Sequence, residues 1–173
     1  MNLIKLLLIP LQIMYYIITK CRNILYDTRL ITINHFEPII ISIGNIKLGG
    51  TGKTPIVEYL IRILNDRPIA ILSRGYKRRT KEFLLVNSTH SANEVGDENR
   101  QLKHKFKNIT IACDTNRPHG VQQILEHKPH TEIIILDDAY QHRKLHRDLD
   151  IVLTEYNDLY TDDQLLPIGN LRE

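Results

Sequence analysis

Cysteine is nearly absent from this 173-residue chain: Cys21 and Cys113 are its only two. That excludes a disulfide-stapled scaffold and a four-cysteine zinc module, and leaves two unpaired thiols in a reducing compartment as the expectation. Concentrated positive charge is missing as well. No dense Lys/Arg stripe with interleaved aromatics occurs, so nucleic acid is not an expected partner. The short run Lys77-Arg78-Arg79 reads as a solvated loop. There is no internal repeat and no low-complexity tract. There is also no membrane-spanning run. The stretch from Leu6 to Thr19 is uncharged and mostly apolar but contains Pro10 and Gln12. As a helix it would reach about 21 Å against a ~30 Å hydrocarbon core. Ile18-Thr19-Lys20-Cys21 offers no small residues before a cleavage point, so neither a secretory signal nor a lipoprotein box is expected.

What remains is an ordinary globular composition, 42% hydrophobic and 25% charged, of a size for one domain with a small appendage. The formal net charge of +3 is equal to the excess carried by Lys5, Lys20, Arg22 and Arg29 over Asp27 within the first 35 residues. An apolar stretch followed by cations suits a helix lying in the headgroup region of an anionic leaflet. The alternative is a buried core helix or a dimer face. Residues 1–35 are therefore set apart as an N-terminal helical segment at a membrane surface, with 36–173 as the folded domain.

From residue 39 on, short β-branched runs alternate with helical stretches. Strands are expected at Ile39–Ile43, Ile69–Leu72, Phe83–Val86, Ile109–Ala112, Ile133–Leu136 and Leu149–Leu153. Helices are expected at Pro55–Leu64, at Asp97–Lys105 and around Gly120–His127. Ile133–Leu136 is apolar at every position, as a central parallel strand is. The fold class is α/β: a phosphate-loop NTPase-like, mostly parallel sheet with flanking helices, preceded by a membrane-associated helix. Ligands of such sheets bind at the carboxyl ends of the strands.

Two segments at strand ends carry the chemistry. Three of the eight glycines, Gly49, Gly50 and Gly52, fall within four residues between a strand and a helix, followed by Lys53, Thr54 and Pro55. The strict phosphate-loop pattern wants glycine at position 47, where this chain has Lys47. The mechanical requirements are nonetheless met by Lys47, Leu48, Gly49, Gly50, Thr51, Gly52, Lys53 and Thr54 as an ATP-binding loop. The glycines let N–H groups curl round an oxyanion, Lys53 reaches the phosphates, and Thr54 can ligate magnesium. The second segment is Ile133-Ile134-Ile135-Leu136-Asp137-Asp138, an apolar strand ending in two carboxylates that repel each other unless a cation lies between them. Thr54, Asp137 and Asp138 are accordingly the candidate Mg²⁺ residues.

Other residues have plainer explanations. Asp97, in Glu94-Val95-Gly96-Asp97-Glu98, reads by spacing as a helix cap or first-turn acid. Arg74, after the second strand, either clamps a phosphate or pairs with an acid. His142 and His146 are four apart but have no third ligand nearby, which makes them a neutral and a surface histidine rather than a metal pair.

Taken together, the apolar N-terminal helix and the blocks ISIGNIKLGGTGKTP, SRGY, EVGDE, LDDAYQH, RDLDIV and LLPIGNLRE resemble the tetraacyldisaccharide 4'-kinase family, in its order and over most of the chain. The resemblance implies transfer of the ATP γ-phosphoryl group to a sugar hydroxyl of a lipid A precursor. It also implies a glycolipid substrate, ATP and Mg²⁺, and docking of the N-terminal helix on the cytoplasmic face of the inner membrane. It implies catalytic roles for Lys53, for Asp97 as the acid that activates the hydroxyl, and for Glu173. The chain departs from the family at Ala139 (usually glycine), at Asn99 (usually proline) and at Lys77 (usually glycine). The family also has a second, C-terminal domain, which lies outside these 173 residues. The competing expectations are a weakly active or non-catalytic ATP-binding module at a membrane surface, and a phosphate-loop kinase with a soluble acceptor. Nothing in the sequence specifies an oligomeric state.

Deleting residues 1–25 is expected to reduce co-sedimentation with anionic vesicles. Equal sedimentation would assign the segment to a core or a dimer face.

Overall fold

The computed structural model describes residues 3–49 and 52–172. A long helix α1 (Leu3–Asp27) precedes the strands β1 (Ile39–Asn45), β2 (Ile69–Ser73), β3 (Leu84–Leu85), β4 (Thr110–Cys113), β5 (Ile133–Asp137) and β6 (Leu149–Leu153). Between the strands lie α2 (Lys53–Ile63), α3 (Ala92–Val95), α4 (Asp97–Lys105) and α5 (Arg117–His127). The strands form one sheet in the order β3-β4-β2-β5-β1-β6, parallel except for the two-residue β3, which runs antiparallel to β4 at the edge.

Helices cover both faces, which is why β5 is apolar from Ile133 to Leu136. Successive strand residues point to opposite faces. Ile133 and Ile135 of β5 pack with Val57, Leu60 and Ile61 of α2 and Leu102 of α4. Ile134 and Leu136 pack with Val121 and Ile124 of α5. The pairing of β1 with β5 sets Ile43 opposite Asp137. The chain leaving β1 toward the glycine loop therefore emerges beside the two acids.

Element ends differ from the sequence expectations for identifiable reasons. Helix α5 starts at Arg117, three residues before the expected stretch, because the Asn116 side chain accepts from the His119 N–H and Pro118 suits the first turn. The unexpected α3 is one turn fixed by a capping box, with Ser91 and Glu94 satisfying each other's backbone. The strand expected over Phe83–Val86 shrinks to Leu84–Leu85.

Helix α1 runs unbroken through Pro10, and its polarity is inverted. The side facing the body carries Gln12, Tyr15, Thr19, Arg22, Asn23 and the buried Tyr26. Leu7, Leu11, Ile13, Met14, Ile17 and Ile18 are exposed on the outside. Among the described residues these apolar side chains take no part in the core. No helix among the described residues is long and apolar enough to cross a membrane.

Gly44 stands near the end of β1, where Tyr140 crosses it. A Cβ there would lie 2.6 Å from Tyr140 Cβ and 3.0 Å from its backbone N. A glycine inside a strand marks such a close backbone approach. Gly44→Ala is expected to lower stability by about 1–3 kcal/mol, read as a reduced denaturation midpoint; a midpoint equal to the parent's would contradict the packing described.

Candidate functional site

A cavity of about 540 Å³ opens at the carboxyl ends of β1, β2 and β5. The glycine loop supplies Gly49 and Lys53 to its wall, and the β5 end supplies Asp137 and Asp138. The turn after β2 supplies Ser73, Arg74, Gly75 and Tyr76, α4 supplies Glu98, and the C-terminal segment supplies Arg172. A cleft of about 650 Å³ elsewhere, lined by residues such as Glu37, Arg67 and Glu132, has none of these groups.

The loop gets its shape from glycine. Gly49 and Gly52 have φ of 134° and 77°, conformations that side-chain-bearing residues rarely adopt. Gly52 turns the chain into α2, so the positive end of that helix faces the cavity. Lys53, at the start of α2, donates to Asn45 Oδ1 at 3.3 Å and lies 3.5 Å from Asp138 Oδ1. Asn45 in turn donates to the Gly49 carbonyl at 3.2 Å. The result is a cation held at the start of α2 beside Asn45 and Asp138, suited to an oxyanion. Thr54 is half-buried in the first turn of α2.

The two acids differ. Asp137 is buried, and its Oδ1 has no hydrogen-bond partner. Burial, with Glu98 and Asp138 adding repulsion, pushes its carboxyl up to about 6. Asp138 adopts a positive φ of 50°, and its Oδ1 lies 3.6 Å from Arg172 Nη1 as well as near Lys53. Among the described residues no three His, Cys, Asp or Glu side chains form a metal-holding group. Two carboxylates and a hydroxyl are the donor set of a magnesium ion that takes its remaining ligands from phosphates and water. The unpartnered oxygen of Asp137 fits that ion.

Beneath the acids lies a cation that sequence reading missed. Arg117 is 1% exposed. It donates to the carbonyls of Asp114 at 2.7 Å and Asp137 at 2.8 Å. Burial lowers its pKa to about 10, so it stays charged at neutral pH. Nothing in Asn116-Arg117-Pro118 signals this, because the helix carrying Arg117 meets β5 only in the fold.

The other expected residues are not all gathered here. The side chain of Lys47 turns away: its ammonium pairs with Asp158 at 2.5 Å and Asp163 at 3.1 Å. The Leu48 N–H is taken by the Asn170 carbonyl at 2.9 Å. Asp97 is exposed in the first turn of α4, and the α4 acid on the cavity wall is Glu98. Gly50, Thr51 and Glu173 lie outside the described residues.

The sequence profile described as Tetraacyldisaccharide-1-P 4'-kinase matches residues 4–173. The chain belongs to this family. It is 46% identical over 174 residues to a tetraacyldisaccharide 4'-kinase of Flavobacterium johnsoniae, an alignment spanning 100% of this chain and 51% of the relative. A Porphyromonas gingivalis protein of the same name is 45% identical over 167 residues, 95% of this chain and 47% of the relative. The chain thus spans about half the length of these relatives. The crystal structure titled as the "apo" form of LpxK from Aquifex aeolicus in complex with ATP superposes with a TM-score of 0.89 at 40% identity, covering 99% of this chain and 55% of that one.

Asn99 is buried, and its Nδ2 donates to Ser73 Oγ at 2.6 Å and to the Val95 carbonyl at 2.8 Å. The same Ser73 Oγ accepts from the Gly75 N–H at 3.0 Å. Asn99 therefore ties the start of α4 to the turn that carries Arg74 and Tyr76.

The two histidines separate. His146 stacks on His35 with ring centroids 4.4 Å apart. His142 is driven down to about 4, by burial first and then by the nearby Arg117 and Arg74. A histidine with a lowered folded pKa adds stability above its unfolded value, near 6.5, and loses it as pH falls toward 4. Because the ring keeps some solvent contact, the effect is discounted to on the order of 1 kcal/mol. His142→Gln is therefore expected to gain about that much relative to the parent between pH 7 and pH 4.5, measured by denaturant unfolding. A stability difference that does not change with pH would remove the buried neutral imidazole from this account.

Proposed function

We propose that this chain supplies the nucleotide-binding side of an ATP-dependent kinase that phosphorylates the 4'-hydroxyl of a tetraacyldisaccharide 1-phosphate. The observation that carries the reading is the position of Lys53. Its ammonium stands at the start of α2, between Asn45 and Asp138, facing a cavity that also presents Arg74 and Arg172. Three cations around one concave wall, with a helix N-terminus behind them, suit a polyphosphate.

In this reading Gly49, Gly50, Thr51 and Gly52 offer backbone N–H groups to the β- and γ-phosphates. Lys53 and Arg172 hold charge on the phosphoryl oxygens, and Arg74 holds the outer phosphate from across the cavity. Thr54, Asp137 and Asp138 would hold magnesium, which when bound neutralises charge on the β- and γ-oxygens. The substrate 4'-oxygen forms a bond to the γ-phosphorus as the bond from that phosphorus to the β-bridging oxygen breaks. Asp97 accepts the hydroxyl proton and ADP leaves with the bridging oxygen. Glu98, beside it on the wall, keeps the acceptor side of the cavity polar. Glu173 is assigned as a further acid of the site. The exposed apolar face of α1, flanked by Lys5 and Lys20, rests on the cytoplasmic face of the inner membrane, where a lipid acceptor resides. That face favours a lipid over a soluble acceptor.

Lys53→Ala is expected to weaken ATP binding about tenfold to a hundredfold, the loss of one charge-assisted contact of ~1.5–3 kcal/mol. Calorimetry in the presence of magnesium measures it. Unchanged affinity with an intact circular dichroism spectrum would sink the phosphate-loop assignment. Label from γ-labelled ATP is expected on a tetraacyldisaccharide 1-phosphate acceptor, and Asp97→Ala in a full-length relative is expected to slow transfer by ~10²–10⁴ with little change in ATP affinity.

A further inference from the structure

The C-terminal segment from Gln164 to Arg172 lies across the start of the glycine loop as a strap. The Arg172 N–H donates to the Ile46 carbonyl at 2.8 Å, and the Leu48 N–H donates to the Asn170 carbonyl at 2.9 Å. Between these two bonds Lys47 and Leu171 form an antiparallel bridge. The strap ends in the guanidinium that meets Asp138, and the same Arg172 Nη1 donates to Gln141 Oε1 at 3.4 Å.

Helix α1 grips this strap from outside. Tyr15 Oη donates to the Arg172 carbonyl at 2.6 Å, and Gln12 Nε2 donates to the Leu165 carbonyl at 3.1 Å. Two turns further along, Arg22 Nη2 donates to the Gln141 carbonyl at 2.5 Å, while Gln141 Nε2 donates to the Asn45 carbonyl at 3.0 Å. The polar stripe of α1 therefore ends on the main chain of the two segments that carry Arg172 and Gln141. This is where the inverted polarity of the helix has its use. An apolar inner face could not hold carbonyls in register, whereas a phenol hydroxyl fixes one acceptor at one distance.

We infer that Tyr15 is a positioning residue of the nucleotide site: by holding the Arg172 carbonyl it keeps the guanidinium at Asp138 and the strap against the phosphate loop. Tyr15 does not line the cavity, and its hydroxyl is bonded to the main chain of Arg172, which does. Its action on the site passes through one residue. The inference rests on the reading of the cavity as an ATP site.

Tyr15→Phe removes one oxygen and keeps the ring. In the 173-residue chain it is expected to weaken Mg-ATP binding about threefold to tenfold by calorimetry, with a melting temperature close to the parent's. Tyr16→Phe, one residue along on the exposed side, is expected to bind as the parent does. Arg172→Ala is expected to weaken binding by itself, and adding Tyr15→Phe to it is expected to cost little more, because the group being positioned is gone. A merely structural anchor would instead show equal losses in both backgrounds, and that result overturns the inference, as does Tyr15→Phe with the parent's affinity. A parent chain that binds no Mg-ATP overturns the ATP reading, and the inference with it.

Discussion

The pairing of β1 with β5 is the constraint on which the site depends. With Ile43 opposite Asp137, the glycine loop and the two acids leave the sheet at the same height, about one strand spacing apart (~4.8 Å). Each arrangement described above is a response to that closeness. Two adjacent carboxylates at a strand end repel, and burial raises the energy of the charged form of Asp137. Lys53 and Arg172 approach Asp138 from two sides, while Arg117 holds the Asp137 carbonyl from beneath. One oxygen of Asp137 is still left without a partner. That unpartnered oxygen is suited to a divalent cation.

Position 47, where the strict phosphate-loop pattern has glycine, shows how a local departure is absorbed. The Lys47 side chain is buried and pairs with Asp158 and Asp163. A glycine in its place would leave both carboxylates without this cation. The loop keeps its backbone geometry through Gly49 and Gly52, and the lysine is used to fasten the C-terminal segment instead.

Helix α1 is attached by polar contacts rather than by burial of an apolar face. Tyr26 lies between the guanidinium groups of Arg22 and Arg143, whose carbon atoms are 5.6 Å and 5.2 Å from its ring centre. Arg143 also reaches Asn23 and Asp27. With cation–π contacts and hydrogen bonds to main-chain carbonyls doing the attaching, the apolar residues of the helix are left outward.

Much of this was legible in the sequence. Strand–helix alternation, the apolar run over Ile133–Leu136, the glycine cluster before Lys53 and the acids at 137 and 138 are local patterns, and local patterns follow from side-chain periodicity and backbone sterics. The span of α4 and that of β6 coincide with the expected ones for the same reason. The roles of Arg117, Arg172, Glu98 and Tyr15 were not legible, because each depends on a partner far along the chain: Asp137 for Arg117, Asp138 for Arg172, the wall opposite for Glu98, and the strap for Tyr15. Which way Lys47 points was equally hidden, since its two partners lie more than a hundred residues away. A sequence sets which backbone conformations and faces are available. Which charge meets which is decided only when the register of the sheet brings distant segments within hydrogen-bonding reach.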